Sequence, residues 1–386
     1  MWDFQYRMKK GWLVNEDTGV IVPIEQSAAV FLSLLSQFQN EEKATDLMAM
    51  IGMIQYQNRE VFMGNLLCEY NVFVQLVQKK ELTIPSTDCL LQEKWAPIQA
   101  EDYVFPHTAL VYLTHRCEMH CGYCYWKNKH HKGRELDFSD YQRMIDELIE
   151  NGTSALVISG GEPFLYPDII SFLSYAAEKG MHIKVTTKHI FSDDEIQHLT
   201  AIDNRQLELI ISLDTCDIQK SKILYGTNVF VQQMIDNLYT CKANKITFSL
   251  QPVVNKQTIS EFSTLMEQFL DIGAKQIIVG CYTQTTKEKD AVFEISKTEW
   301  KQICELIQSQ ENNRITTLAS EKHSKYCRAG NESITVLWNG AVVRCEHLEP
   351  EKNNLIGNIT KQSILDIWKN RSFNKYPCIL HSQERA

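Results

Sequence analysis

Between residues 107 and 312 the chain changes its hydrophobic period again and again. Short apolar, β-branched runs near 109–114, 154–159, 182–187, 207–213, 246–252 and 275–281 alternate with helical-period segments near 139–150, 168–179, 193–201, 228–243, 258–272 and 297–311. The first of these helices gathers Tyr141, Met144, Ile145, Leu148 and Ile149 on one face and stops at Asn151-Gly152. The fifth gathers Phe262, Leu265, Met266, Phe269 and Leu270 and stops at Gly273. Glycine just past the last apolar position is a common helix stop. Strands that alternate with helices must run parallel, because each crossover returns the chain to the same edge. The predicted class is α/β, a partial (βα)6 TIM-like barrel, incomplete because closure needs eight units. Parallel barrels keep their chemistry at the C-terminal ends of their strands. A cysteine-rich loop follows the first strand, and Ser159-Gly160-Gly161-Glu162-Pro163 follows the second. Thr187 and Lys188 end the third, Asp214 the fourth, Gln251 and Val253 the fifth, and Cys281 the sixth.

The loop reads Cys117-Glu118-Met119-His120-Cys121-Gly122-Tyr123-Cys124, a C-x-x-x-C-x-x-C spacing. Three thiolates on one tight loop hold three irons of a [4Fe–4S] cluster and leave the fourth iron open. A structural zinc site is the competing reading, with His115 or His120 nearby as a further ligand. The chain has twelve cysteines, and Met1-Trp2-Asp3-Phe4-Gln5-Tyr6-Arg7 lacks the basic-then-apolar pattern of a signal peptide. The expected compartment is cytoplasmic, where cysteines serve metals or catalysis more than disulfides. No apolar run is long enough to span a bilayer. The formal charge of −9 disfavours bulk nucleic-acid binding and suits a basic peptide partner.

The loop, with an aromatic residue just before its last cysteine, resembles the signature of the radical S-adenosylmethionine (SAM) enzymes. Ser159-Gly160-Gly161-Glu162-Pro163 resembles that family's methionine-binding motif, and Ser212-Leu213-Asp214 its ribose-contacting strand end. The resemblance implies that Cys117, Cys121 and Cys124 ligate a SAM-binding [4Fe–4S] cluster. It implies that Tyr123 presents its backbone to adenine, and that Gly160, Gly161 and Glu162 receive the methionine ammonium. Ser212 and Asp214 would bind ribose, with Val253 a further SAM contact; a strand-end cap is the alternative for Ser212 and Asp214. The implied chemistry is reductive cleavage of SAM to a 5′-deoxyadenosyl radical that abstracts a substrate hydrogen.

Residues 1–85 read as a separate module. Trp12-Leu13-Val14 and Val20-Ile21-Val22-Pro23-Ile24 form a hairpin, a helix follows with Ala29, Val30, Phe31, Leu34, Leu35 and Phe38 at helical spacing, further helices are expected over about 42–53 and from Arg59, and a strand at Leu82-Thr83-Ile84-Pro85. This winged-helix-like pattern is similar to the RiPP recognition element, which binds the leader of a precursor peptide by strand addition. A DNA-binding winged helix or a structural cap are the alternatives. Residues 86–106 read as a linker. In residues 313–386, Cys327, the Asn339-Gly340 turn and Cys345 resemble the opening of a twitch/SPASM-like iron–sulfur domain. The resemblance implies an auxiliary [4Fe–4S] cluster held by Cys327, Cys345 and Cys378. Its fourth position falls to Cys281, a substrate thiolate or no ligand. Cys281 is also a candidate catalytic hydrogen donor. Cys68, Cys241 and Cys304 read as core, and Lys127, Lys129, His130, His131, Lys132 and Arg134 as a solvated basic loop.

The layout most resembles RiPP maturases of the sporulation-killing-factor type, which implies thioether or other crosslink formation. Peptide epimerisation, cofactor biosynthesis and sulfatase activation are alternatives, and an iron–sulfur DNA-binding regulator is a distant one. The expected partners are a precursor peptide and a flavodoxin- or ferredoxin-type electron donor, with no membrane and no nucleic acid.

Overall fold

The computed structural model describes residues 2–7, 10–15, 21–96, 105–106, 108–124, 126, 133–282, 292–309, 314–317, 329–330, 333–348 and 354–371. Cys327, Cys378, the side chain of Cys68 and residues 127–132 of the basic loop lie outside them.

The N-terminal module is a three-stranded antiparallel sheet, β1 (Trp2–Arg7), β2 (Lys10–Asn15) and β3 (Ile21–Ile24), followed by α1 (Gln26–Phe38), α2 (Glu41–Met50), α3 (Arg59–Gln78) and the short α4 (Thr87–Leu90). Trp2, Phe4 and Tyr6 alternate with polar residues along β1, the period of a half-buried strand. The strand expected at 82–85 does not form. Leu82 and Ile84 are buried without strand pairing, Pro85 has no N–H to give a ladder, and its carbonyl accepts the Ser33 hydroxyl at 2.8 Å.

The barrel section comprises β4 (Thr108–Thr114), α5 (Phe138–Glu150), β5 (Ala155–Gly160), α6 (Ile169–Glu178), β6 (His182–Thr187), α7 (Asp193–Thr200) and β7 (Leu207–Ile211). It continues with α8 (Ser221–Tyr225), α9 (Phe230–Ala243), β8 (Phe248–Leu250), β9 (Val253–Val254), α10 (Phe262–Ile272), β10 (Ile277–Cys281), α11 (Lys297–Ser309) and β11 (Ile315–Thr317). Strands β4, β5, β6, β7, β8, β10 and β11 pair in parallel in that order, and β9 pairs with β10. The six expected strands are present; β11 is an additional one. The fold is mixed α/β with a parallel core, and among the described residues the sheet is not closed.

At the β4 edge the sheet continues into the C-terminal segment. β12 (Ser333–Val336) lies parallel to β4, β13 (Ala341–Val343) and β14 (Leu355–Asn358) add antiparallel, and α12 (Ile364–Lys369) follows. The edge of the half-barrel is therefore covered rather than left as a pairing hazard. Trp368 of α12 is fully buried and meets Phe105 edge-on at 6.0 Å.

The N-terminal module docks on the floor of the barrel, where helices turn into strands. Trp2 packs edge-on against Phe73 at 4.9 Å, and both, with Val22, close over Gly152. Asn15 Nδ2 donates to the Glu150 carbonyl at 2.7 Å, Asn71 donates to the Gly180 carbonyl, and Arg205 pairs with Glu41 at 2.6 Å. The module thus sits at the end of the strands opposite the motifs. Among the described residues no helix is long and apolar enough to cross a membrane.

Candidate functional site

The cysteine loop leaves the top of β4 and is held from two sides. On one side the Gly160-Gly161-Glu162 run lies directly under it. Gly161 N–H donates to the Thr114 carbonyl at 2.9 Å and Glu162 N–H to the Arg116 carbonyl at 2.7 Å. A Cβ on Gly161 would fall 2.0 Å from the Arg116 oxygen, and Gly160 takes φ +126° with a Cβ position 2.6 Å from the Thr114 oxygen. Neither position accepts a side chain, which is the physical reason for two glycines here. On the other side His120 N–H donates to the Tyr225 carbonyl at 3.3 Å and Gly122 N–H to the Leu224 carbonyl at 3.1 Å. The short helix α8 therefore cradles the loop.

Cys121 is buried, Cys124 half-buried and Cys117 exposed. Burial pushes the Cys121 thiol up to about 12, and Lys188 pulls it back. That thiol ionises only when a cation compensates it, as a metal does.

Glu162 is 7% exposed. Its carboxylate accepts the Thr187 hydroxyl, Lys188 N–H at 2.9 Å and Phe164 N–H at 3.2 Å. Burial raises its pKa from the ordinary carboxylate value, and these donors only partly offset that. Asp214 is 0% exposed. It accepts the Tyr123 hydroxyl on one oxygen and Val253 N–H at 2.8 Å on the other, while its own N–H donates to Tyr225 Oη at 2.6 Å. The expected SAM contacts Tyr123, Asp214 and Val253 thus bond to one another. Burial, with Asp214 beside it, holds the Tyr123 phenol protonated and able to donate. Ser212 is half-buried, its N–H donating to the Thr187 carbonyl at 3.0 Å. Cys281 is half-buried at the end of β10, in register with Val254, and its thiol lies 3.4 Å from the Tyr282 carbonyl.

Two residues had no role assigned from sequence. Lys188 holds its ammonium 5.7 Å from the ring centres of both Tyr123 and Tyr225. Burial alone would lower its pKa, but Cys121, Asp214, Cys124 and Glu162 around it raise it, so it stays charged. Tyr225 supports both the cysteine loop and Asp214. Its signal was the helix end Leu224-Tyr225-Gly226, and Lys188 was visible only as a strand end.

In the C-terminal segment, Cys345 is clamped by Asn354. Cys345 N–H donates to Asn354 Oδ1 at 3.0 Å, and Asn354 Nδ2 donates to the Cys345 carbonyl at 2.9 Å. Trp338, at the hairpin turn, meets Trp126 edge-on at 5.6 Å, and its carbonyl accepts Leu136 N–H at 2.8 Å. Cys241 is fully buried, as a core residue should be, while Cys304 is half-buried.

Comparison with known proteins gives the same outline. Residues 111–269 match the family model of the Radical SAM superfamily, and residues 327–386 match SPASM, an iron–sulfur cluster-binding domain. A PqqA peptide cyclase from Ruegeria pomeroyi is 25% identical over 289 residues, 70% of this chain and 76% of that protein. The antilisterial bacteriocin subtilosin biosynthesis protein AlbA of Bacillus subtilis is 22% identical over 281 residues, 72% of this chain and 62% of AlbA. In fold, SuiB of Streptococcus suis bound to precursor peptide SuiA superposes with a TM-score of 0.63 at 18% identity, covering 100% of this chain and 91% of SuiB.

The donor set on the loop fits the [4Fe–4S] cluster with SAM that the first domain implies; of the donors expected for the SPASM-type domain's cluster, Cys345 lies among the described residues. Ligands of one zinc ion would all stand about 2.3 Å or less from it. Among the described residues no three His, Cys, Asp or Glu side chains gather closely enough to hold a single ion. A cubane spreads its thiolates over separate irons. Three thiols on one loop, with a buried carboxylate and a half-buried cation beside them, suit the latter. The chain is a radical SAM enzyme with a SPASM-type iron–sulfur domain.

Proposed function

We propose that this enzyme modifies a ribosomally synthesised precursor peptide, forming a thioether or another crosslink. The observation that carries the reading is the division of the molecule. A winged-helix-like module is docked on the barrel floor, and a cysteine loop stands at the barrel mouth. The relatives named as a peptide cyclase and a bacteriocin biosynthesis protein support the peptide class. Residues 1–85 take the leader, residues 107–312 hold the reaction, and residues 313–386 hold the auxiliary cluster with Cys327, Cys345 and Cys378 as ligands. Residues 86–106 link the first two.

Cys117, Cys121 and Cys124 would hold the SAM-binding cluster, which when reduced would supply the electron that cleaves SAM to a 5′-deoxyadenosyl radical. The chain's own side chains position and shield. Glu162 and the backbone of Gly160 and Gly161 receive the amino end of SAM, with Glu162 the charged acceptor. Ser212 contacts the ribose. Asp214 fixes Tyr123 and the start of β9 at Val253, which sets the adenine wall. Lys188 balances the negative charge gathered under the loop. Cys281, at the mouth, faces the substrate. Electrons arrive from a flavodoxin- or ferredoxin-type donor, and the protein works in the cytoplasm.

Anaerobic reconstitution tests this. The wild type should take up about eight irons per chain, as expected for two cubanes. It should release 5′-deoxyadenosine from SAM after dithionite reduction and lower the mass of a precursor peptide encoded beside its gene. Replacing Cys121 with Ala should abolish SAM cleavage, and replacing Cys345 with Ala should leave it. Full cleavage by both variants would overturn the cofactor assignment; cleavage without any peptide product would overturn the peptide reading.

A further inference from the structure

One arginine is bonded to both ends of the turn that carries Glu162. The Arg116 carbonyl accepts Glu162 N–H at 2.7 Å, and Arg116 Nη2 donates to the Leu165 carbonyl at 2.7 Å. Between those points Leu165 N–H returns to the Glu162 carbonyl at 2.9 Å. The turn Glu162–Leu165 is therefore stapled at its two ends by a single residue, the one directly before Cys117.

Arg116 is itself aimed by Glu135. Its Nε donates to Glu135 Oε1 at 3.2 Å and its Nη2 to Oε2 at 3.0 Å, a two-point fork. Glu135 Oε1 also accepts the hydroxyl of Thr114, a fully buried residue at the end of β4, and that hydroxyl accepts Arg116 N–H at 3.0 Å. The neighbouring Leu136 seats Glu135: its N–H donates to the Trp338 carbonyl at 2.8 Å, and its carbonyl accepts the Tyr166 hydroxyl at 3.2 Å. The side chains of Arg116 and Glu135 are 46% and 20% exposed, so the pair adds little stability. What a forked pair supplies is direction. Direction matters here because three of the roughly four acceptor positions of the Glu162 carboxylate are filled by Thr187, Lys188 and Phe164. Where the last one points depends on how the turn is held.

We infer that Arg116 and Glu135 are the positioning pair of the SAM amino-group site. Glu135 holds the guanidinium across the turn, and the turn aims the free acceptor position of Glu162. The inference rests on the reading of Glu162 as the acceptor for SAM. Both residues act through Glu162, as the outer partners of a ligating carboxylate do.

The test uses full-length, anaerobically reconstituted protein. SAM affinity is measured by calorimetry in the wild type, E135Q, R116K, E162Q and the combination of E135Q with E162Q. Gln keeps the shape of Glu135 and removes its charge; Lys at 116 reaches one of the two partners of the fork and not both. E135Q and R116K should keep the iron content and melting temperature of the wild type, and should bind SAM about three- to tenfold more weakly. The change that SAM makes in the electron paramagnetic resonance signal of the reduced protein should need more SAM by the same factor. In the E162Q background E135Q should weaken binding by a smaller factor than in the wild type, because the two changes act on one contact. Equal factors in both backgrounds would overturn the positioning role, as would wild-type affinity in both E135Q and R116K. Iron lost from E135Q would assign Glu135 to folding of the cysteine loop and also overturn it. Wild-type affinity in E162Q would remove the reading of Glu162 itself, a failure distinct from that of the pair.

Discussion

Replacing Glu162 with Gln tests the SAM site most directly. An ionised carboxylate has about four acceptor positions. Three are already used, by the Thr187 hydroxyl, Phe164 N–H and Lys188 N–H. One remains for the amino group of SAM. A hydrogen bond to a charged acceptor contributes about 1.5–3 kcal/mol. Its loss should weaken SAM binding about ten- to a hundredfold. Gln also turns an NH2 toward one of the resident donors, which costs about 1–3 kcal/mol of stability and offsets the relief of removing a buried charge. Binding of SAM is measured by anaerobic calorimetry on reconstituted protein whose iron content matches the wild type.

The same residue gives a pH signature. Burial raises the folded-state pKa of Glu162, so the folded protein holds that proton more tightly than the unfolded chain. The group's contribution to stability is fully present below the ordinary carboxylate pKa and is lost as pH rises through the raised one. A donor arriving with SAM favours the ionised form. Binding should therefore release a proton near that pKa, and affinity should fall as pH drops through it. Calorimetry in buffers of different ionisation enthalpy reads the proton. Wild-type affinity in E162Q, with no buffer dependence in either protein, would refute the assignment of Glu162.

Three other perturbations have defined outcomes. Asp214→Ala leaves the Tyr123 hydroxyl and Val253 N–H without their acceptor, at about 1–3 kcal/mol each where buried. Its melting temperature and its iron content should both drop, and an unchanged iron content would show that Tyr123 does not hold the loop. His182 is 4% exposed, and burial, the largest cause, lowers its pKa to about 4. Between about 4 and 6.5 the unfolded chain binds more protons, so stability should fall by up to about 3 kcal/mol as pH drops through that window. Urea midpoints at neutral and acid pH should show His182→Asn losing less than the wild type; parallel losses would clear His182. Cys281→Ala should keep iron and SAM cleavage while peptide product is lost, and undiminished product would assign the thiol to packing.

The barrel was legible because its signals are local. Each strand run ends at a motif, and helix ends such as Asn151-Gly152 and Gly273 carry their own stop. The cysteine spacing and Gly160-Gly161 are equally local, since the loop approaches those glycines closely. β1 is also legible, by the strict alternation of Trp2, Phe4 and Tyr6. The three-residue β11 has no period long enough to read. Lys188 and Tyr225 gain their roles only when β6 and α8 converge on the loop, and no spacing along the chain encodes that. The strand expected at 82–85 shows the reverse error: Leu82 and Ile84 have strand-like side chains, but burial alone satisfies them.

The position of the N-terminal module sets a length requirement on the substrate. The module is pinned at Glu150, Gly152, Gly180 and Arg205, which lie at a helix end and in turns on the barrel floor. The cysteine loop and Glu162 stand at the opposite ends of β4 and β5. Strand β5 has six residues, which at about 3.3 Å each separate floor from mouth by about 20 Å. Near the floor, Glu208, Ser249 and Lys275 are joined by the Ser249 hydroxyl on Glu208 and a 3.3 Å ion pair. A peptide held on the module that passes outside the helix layer adds about 10 Å on the way out and about 10 Å on the way back. About 40 Å of extended chain is about twelve residues. Precursor peptides shortened by six residues between leader and modification site should still bind in titration but no longer be modified. A precursor with a five-residue spacer that is both bound through residues 1–85 and modified at the wild-type rate would show that the leader is not held where this module stands.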